Sequence, residues 1–302
     1  MREEHRGVLI SVVVPAYESW DTLPLTLEAL RPQVDRPDRE LVLVESSGTA
    51  SAEEVQARWP WLTAVVFPSR ILPGRARNIG SERARGEFVA FTDADAVPEA
   101  GWLDSLEHAL GPDTDAVAGA VVNGTPESAI GTSDYLLEFA AWLPGRAGAP
   151  LHGATCNLLV RRRSLAAAGG FPTDLWPGEG TIFTFRLGRS GRLAFSPDAR
   201  VCHLNRTRFH DLLRHQYALG LSFSRVCREV DFPHREFARL PLTFVAGPLR
   251  LPVLLLRLVR WRQLHSARPS LLPFAFAAAC AWSAGLTVGA VRHLFGGEAR
   301  RR

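Results

Sequence analysis

The chain has 302 residues, 46% of them hydrophobic and 22% charged, a composition that calls for a buried core and excludes a wholly disordered polypeptide. Its net charge of +4 is unevenly placed: residues 1–239 carry 26 Arg against 30 Asp plus Glu, and residues 240–302 carry nine Arg against one acid, Glu298. A mildly acidic body argues against a nucleic-acid partner, and the basic, apolar tail suits an anionic surface such as a membrane.

Every basic residue is Arg, so phosphate-loop and Schiff-base chemistry, which need Lys, are excluded. Cys156, Cys202, Cys227 and Cys280 are widely spaced and form no Cys-x-x-Cys pair. That spacing fits neither a structural zinc site nor a disulfide framework, and points to a reducing compartment. The apolar run Val8–Val14 is strand-length and preceded by acids, so it reads as a strand and not a secretory signal. The acceptor-like strings at Asn123 and Asn205 are accordingly read as chance, and the body as cytoplasmic.

In chain order, short branched runs alternate with helical patterns. VLISVVV (8–14) precedes a helix over 20–31, ELVLVE (40–45) one over 51–59, and TAVVF (63–67) one over 75–85. EFVAFTD (87–93) precedes a helix over 100–110, and DAVAGAVV (115–122) follows. Near-continuous apolar strands joined by helices predict an α/β fold with a mostly parallel central sheet flanked by helices. Ligands of such sheets bind beyond the carboxyl ends of the strands, here Pro15-Ala16-Tyr17-Glu18, Glu45-Ser46-Ser47-Gly48 and Thr92-Asp93-Ala94-Asp95. Residues 124–154 loosen into Gly-, Pro- and Ala-rich sequence and read as a flexible region over the site. A strand at 155–161, helices at 162–169 and 179–190, and short strands at 192–196 and 199–204 complete the body, followed by a helix over 207–229.

The organisation expected is therefore a catalytic body over 1–206, a helical linker over 207–239 and a membrane-associated tail over 240–302. In the tail, 241–259 is apolar but interrupted by Arg250, Arg257 and three prolines, and reads as interfacial or as half of a hairpin. Residues 271–291 carry no charge and would span about 31 Å as a helix, close to the apolar thickness of a bilayer. A buried Ala-rich helix satisfies the same pattern. Arg257, Arg260, Arg262 and Arg268 precede the candidate span and Arg292, Arg300, Arg301 and Arg302 follow it, so flanking charge sets no orientation.

The sharpest chemical feature is Asp93-Ala94-Asp95 at the end of an apolar strand. Two carboxylates at a strand terminus can face one Mg²⁺ or Mn²⁺ ion that also takes phosphate oxygens; a solvated turn capping the next helix is the alternative. His203 follows a strand and could complete such a site if the chain returns beside the pair.

Six segments carry a resemblance: SVVVPAYES (11–19), LVLVESSGT (41–49), LPGRARNIGSERARGEFVAFTDAD (72–95), CNLLVRRRSLAAAGGF (156–171), GEGTIFTFRLGRSG (178–191) and DARVCHL (198–204). Together they resemble an inverting family 2 glycosyltransferase with the glycosyltransferase A-type (GT-A) nucleotide-diphospho-sugar transferase fold. The resemblance implies that Pro15, Ala16, Tyr17 and Glu18 contact the nucleoside, that Glu45 stands where an Asp accepts from the base, and that Gly74, Arg77 and Asn78 lie near the nucleotide. It implies that Asp93 and Asp95 are the Asp-x-Asp pair, the second carboxylate holding a divalent metal on the donor diphosphate, and that His203 joins that metal.

One position departs from the pattern. Where the family reads Glu-Asp-x-Asp, this chain has Glu179-Gly180-Thr181-Ile182, with Arg186 and Gly191 in register. The usual base position is Gly180, and Glu179 is the carboxylate left to act as catalytic base; an N-terminal helix acid is its other reading. The expected function is metal-assisted transfer of a sugar from a nucleotide-diphosphate donor to a hydroxyl on a lipid-linked or saccharide acceptor, at the cytoplasmic face of the cell membrane. Gln216-Tyr217-Ala218-Leu219-Gly220 lacks the Arg and Trp of processive polymerases. A catalytically impaired nucleotide-sugar-binding scaffold and a nucleotidyltransferase are the competing readings. PAYESWDT after the first strand lacks the Gly-rich basic loop of the latter.

Overall fold

In the computed structural model, which describes residues 9–189, 192–233, 235–260, 263, 266 and 268–296, the alternating runs become a mixed eight-stranded sheet with helices on both faces. Strands β1 (Ile10–Ala16), β2 (Arg39–Glu45), β3 (Thr63–Val66) and β4 (Phe88–Phe91) run parallel in the order β3-β2-β1-β4. Helices α1 (Leu23–Val34), α2 (Ala52–Arg58) and α3 (Pro73–Arg83) form the crossovers. Along β1, Ile10, Val12 and Val14 join Leu23, Leu27 and Leu30 of α1 in one core, and Val13 turns to Ala76 of α3 and Phe91 in the other, as period-two alternation requires. Helix starts are set locally. Ser51 accepts from the Glu54 N–H while the Glu54 carboxylate accepts from the Ser51 N–H. Pro73 opens α3 where a missing N–H leaves no bond unmade.

The sheet stays mostly parallel, as expected, but beyond β4 two of its strands, one of them beside β4, run against the rest. Strand β7 (Leu158–Arg161) lies antiparallel between β4 and β6 (Ala116–Asn123). Strand β8 (Leu193–His203) runs parallel to β6 and receives the short β5 (Ala96–Pro98) antiparallel at the edge. Apolar patterning reports burial and not strand direction, so this reversal has no signature in the sequence. The two short strands expected at 192–196 and 199–204 are one. Pairing passes from Gly119–Ser196 to Ala120–Arg200, leaving residues 197–199 as a bulge, and Asn157 bonds the carbonyls of Ala120 and Ala199 there.

Helices α4 (Trp102–His108), α6 (Arg162–Ala167) and α7 (Glu179–Gly188) cover the remaining sheet. The stretch 124–154 is not uniformly loose. It holds α5 (Ala129–Phe139), whose start Ser128 caps by accepting from the Gly131 N–H and whose Tyr135, Leu136 and Phe139 are buried. Residues 124–128 and the part after α5 lack regular structure.

Among the described residues, three α-helices form the C-terminal part: α8 (Phe209–Glu229), α9 (Thr243–Arg260) and α10 (Leu272–Gly296). α9 runs through Pro248 and Pro252, where an interruption was expected. α10 is long and apolar enough to cross a membrane by length and composition, yet its Ala278, Ala279, Trp282 and Leu286 are buried against neighbouring helices. The approach to α8 is close enough to require glycine: a Cβ at Gly220 would lie 1.9 Å from the Trp282 carbonyl oxygen, and one at Gly285 2.0 Å from that of Tyr217. Phe244, Val253, Leu255, Leu256 and Val259 of α9 are exposed. Of the residues singled out from the sequence, Val8, Gly191, Arg262 and Arg300–Arg302 lie outside the described residues, as does Ser190 of the expected helix.

Candidate active site

The carboxyl ends of β1 and β4, the start of α7 and the end of β8 open on one cavity of about 760 Å³. Pro15, Ala16, Tyr17, Arg77, Asp93, Asp95, Glu179 and His203 all line it. The turn after β4 places the acid pair, with the Ala96 N–H donating to the Asp93 carbonyl and the Thr92 hydroxyl to the Ala96 carbonyl. Pairing of Ala96 with His203 returns β8 beside that turn, bringing His203 Nε2 to 3.7 Å from Asp95 Oδ1.

The orientation of the His203 ring follows from its neighbours. Asn205 Nδ2 donates to Asn123 Oδ1, Thr125 Oγ1 and the His203 carbonyl. That leaves Asn205 Oδ1 to accept from His203 Nδ1 at 3.0 Å. With Nδ1 bonded to Asn205, Nε2 is the ring nitrogen that faces Asp95.

Arg77 joins the two halves of the site. Its Nη2 donates to Asp93 Oδ1 and its Nη1 to Glu179 Oε1, both at 2.7 Å. Burial works against the Arg77 charge, and the Asp93 and Glu179 carboxylates outweigh it, raising its pKa. One planar guanidinium thereby fixes two carboxylates that lie 86 positions apart in the chain. Glu179 is the first residue of α7 and is nearly buried.

Some sequence-predicted residues serve this arrangement from behind the cavity wall. Asn78, expected near the nucleotide, bonds both backbone groups of Phe171 at 2.9 Å. Gly74 lets α3 approach, since a Cβ there would lie 2.1 Å from the Pro172 carbonyl oxygen. Both clamp α3 to the segment that leads into α7, and neither lines the cavity. Glu18 and Glu45 do not line it either. Glu18, at φ 49°, donates its N–H to Ser47 Oγ and accepts from the Tyr17 hydroxyl. Glu45 is buried, its Oε1 accepts from the Ser47 N–H at 2.7 Å, and its Oε2 has no partner among the described residues. At the departing position, a Cβ on Gly180 would meet Thr155 Cγ2 at 2.6 Å and Oγ1 at 2.9 Å. Thr155 fills the space a longer side chain would need.

Several lining residues have no counterpart in the sequence reading. Arg70 lies over the rings of Tyr17 and Trp176, 4.6 and 5.1 Å from their centroids. On the opposite wall, Arg206 Nη1 contacts Asp134 Oδ2 at 3.1 Å and Glu138 Oε2 at 3.6 Å, and His215 Nε2 lies 3.0 Å from the same Glu138 oxygen. Burial pushes the Glu138 pKa up, but His215 and Arg206 outweigh it and hold it down at about 2. The signal available was two acids at helical i, i+4 spacing, Asp134 and Glu138, in a stretch read as loose.

A strand-end cavity with a carboxylate pair, an arginine fork and an Asp–His contact, on a mixed sheet of this order, defines an α/β group-transfer enzyme of the GT-A kind. The sequence profile described as Glycosyl transferase family 2 matches residues 11–164, half of the chain, and the protein belongs to that family. It is a glycosyltransferase, which removes the nucleotidyltransferase reading. It is 27% identical over 250 residues to Glycosyltransferase AglE of Haloferax volcanii, covering 80% of this chain and 82% of that one. It is 28% identical over 203 residues to the succinoglycan biosynthesis protein ExoM of Rhizobium meliloti, covering 61% and 62%. Among solved structures it resembles a mannosyltransferase of Pyrobaculum calidifontis in complex with GDP-Man and Mn2+, with a TM-score of 0.61 at 22% identity over 96% of this chain and 88% of that one. It also resembles S. aureus TarS in complex with UDP-GlcNAc, with a TM-score of 0.52 at 17% identity over 96% and 92%.

Proposed function

We propose that the protein transfers a sugar with inversion from a nucleoside-diphosphate donor to an acceptor hydroxyl, in a site that takes Mg²⁺ or Mn²⁺. The arginine fork carries this reading. It sets a carboxylate able to take a proton, Glu179, at a fixed position relative to the acid pair at the end of β4. The donor set suits a divalent ion: the Asp95 carboxylate and His203 Nε2 would supply an oxygen and a nitrogen ligand, the rest coming from diphosphate and water. Bound there, the ion would neutralise charge building on the leaving diphosphate. Two structurally similar enzymes, the P. calidifontis mannosyltransferase and a Mycobacterium tuberculosis glucosyl-3-phosphoglycerate synthase, were solved with Mn2+, which supports this choice.

Tyr17, Arg70 and the end of β1 form the wall on which the nucleotide lies. Glu179 accepts the proton of the acceptor hydroxyl as that oxygen attacks the anomeric carbon on the face away from the diphosphate, and a single displacement inverts the centre. The exposed apolar side of α9 and the basic tail draw the enzyme to the cytoplasmic face of the membrane, where a lipid-linked acceptor is concentrated. Because α10 is packed on α8, these helices lie along the membrane surface in this reading.

Gly180 favours a second reading, a scaffold that binds the donor without turning it over. Transfer or hydrolysis of UDP- and GDP-sugars with Mn²⁺, Mg²⁺ or chelator separates the two. Glu179→Gln is expected to lower kcat by about 100- to 10,000-fold while nucleotide affinity stays unchanged, and Asp95→Ala to remove metal-dependent nucleotide binding. Undiminished transfer in both variants overturns the mechanism.

A further inference from the structure

The part of the cavity beside α9, its arm, is not used by the donor reading. It is lined by Leu249, Arg250, Val253 and Arg257 of α9, Trp282 of α10 and His152 of the loop before β7. Arg250 is held as a binding group is held: Nη2 donates to the Leu137 carbonyl at 2.7 Å and the guanidinium lies 4.6 Å from the Trp282 ring centroid. Its Nη1 is buried and has no partner among the described residues, and the same is true of His152 Nδ1. Leaving a charged donor buried and unbonded is costly, so the position suits an acceptor atom that is not part of the chain.

The charge around it is one-sided. Arg257 lies two helical turns beyond Arg250 on the same side of α9 and forms no hydrogen bond or ion pair among the described residues. No Asp or Glu occurs between residues 240 and 297. The acid facing this arm from α5, Glu138, is already engaged by His215 and Arg206. Burial, with Arg257 beside it, pulls the Arg250 pKa down to about 10, the mark of a cation lacking its counter-ion. On either side of Arg257 in the chain, α9 exposes Leu255, Leu256 and Val259.

We propose that Arg250 and Arg257 form a phosphate subsite for the acceptor, which carries a phosphate ester on a hydrocarbon chain, the phosphate bound by the guanidinium groups and the chain lying along α9. This rests on the glycosyl-transfer reading and names the acceptor class for it. Arginine suits the role because its planar donors match phosphate oxygens in pairs.

The full chain is titrated calorimetrically with farnesyl phosphate, farnesol and glucose 6-phosphate, and separately with UDP and GDP in the presence of Mn²⁺. Farnesyl phosphate is expected to bind at least tenfold more tightly than farnesol or glucose 6-phosphate. Arg250→Gln and Arg257→Gln are each expected to weaken it about tenfold or more, with nucleotide affinity unchanged. Arg257 is exposed, so its variant keeps the test valid should Arg250→Gln fail to fold. Equal binding of farnesol or of glucose 6-phosphate, or unchanged farnesyl phosphate affinity in Arg257→Gln, overturns the subsite. Failure of the donor reading would show as absence of nucleotide binding in the unaltered protein, a different result.

Discussion

At the scale of single residues, Arg77 decides the most. Its two 2.7 Å bonds leave Asp93 and Glu179 no independent freedom, and losing one partner of a buried pair of this kind costs about 3–5 kcal/mol. The neighbouring departure, Gly180, is explained by Thr155, whose side chain occupies the volume beside it. Gly180→Asp is therefore expected to destabilise the protein by about 1–3 kcal/mol through overpacking, and Thr155→Ala to recover most of that loss. Urea unfolding of the two single variants and the double variant checks this, and strictly additive losses would refute the steric account. Glu179, Asp93 and Arg77 could each be picked out from the sequence. Their joining could not, because bonds across such separations depend on α3 and α7 meeting, which no local pattern encodes.

At the scale of elements, the strands that report their own burial were legible and the direction of pairing was not. β1, β2, β3 and β4 announce themselves as branched apolar runs, and helices between them imply parallel crossovers. β6 and β7 have the same apolar character yet pair antiparallel, since the chain between them turns back without a crossover to a parallel neighbour. The acid pair was legible at a strand end, and the return of His203 was not, because it follows from the three-residue strand β5, too short to show a period. The α8–α10 contact likewise lay hidden in ordinary-looking glycines. With the Trp282 carbonyl 1.9 Å from a Cβ at position 220, Gly220→Ala is expected to cost about 3 kcal/mol, read as a lowered unfolding midpoint. Unchanged stability would mean that the two helices do not meet as described.

At the scale of the molecule, buried charge makes the fold acid-labile. Burial, then Arg257 and Arg146, hold the His152 pKa down at about 4 against an ordinary value of 6.5. The folded chain thus refuses a proton that the unfolded chain accepts, so stability is level above pH 6.5 and falls as pH drops from 6.5 toward 4. Glu138, held at about 2 against an ordinary 4.5, extends the loss below pH 4.5 with the same sign. Tm measured across this range in phosphate-free buffer is expected to decline on acidification, and His152→Gln to flatten the upper part of the curve. A Tm that rises toward pH 5 would contradict the assignment.

The placement of α9 and α10 has a consequence for how such an enzyme can be altered. In the proposed reading the donor lies against the residues that follow β1, β2 and β4 and against α3, and α9 with Trp282 of α10 lines another part of the same cavity. Grafting the last quarter of the chain from a relative would exchange what is glycosylated while leaving the choice of activated sugar intact, provided the recipient keeps glycine at 220 and the incoming helix keeps it at 285. Selectivity toward the two substrates would then be portable in separate pieces of one polypeptide.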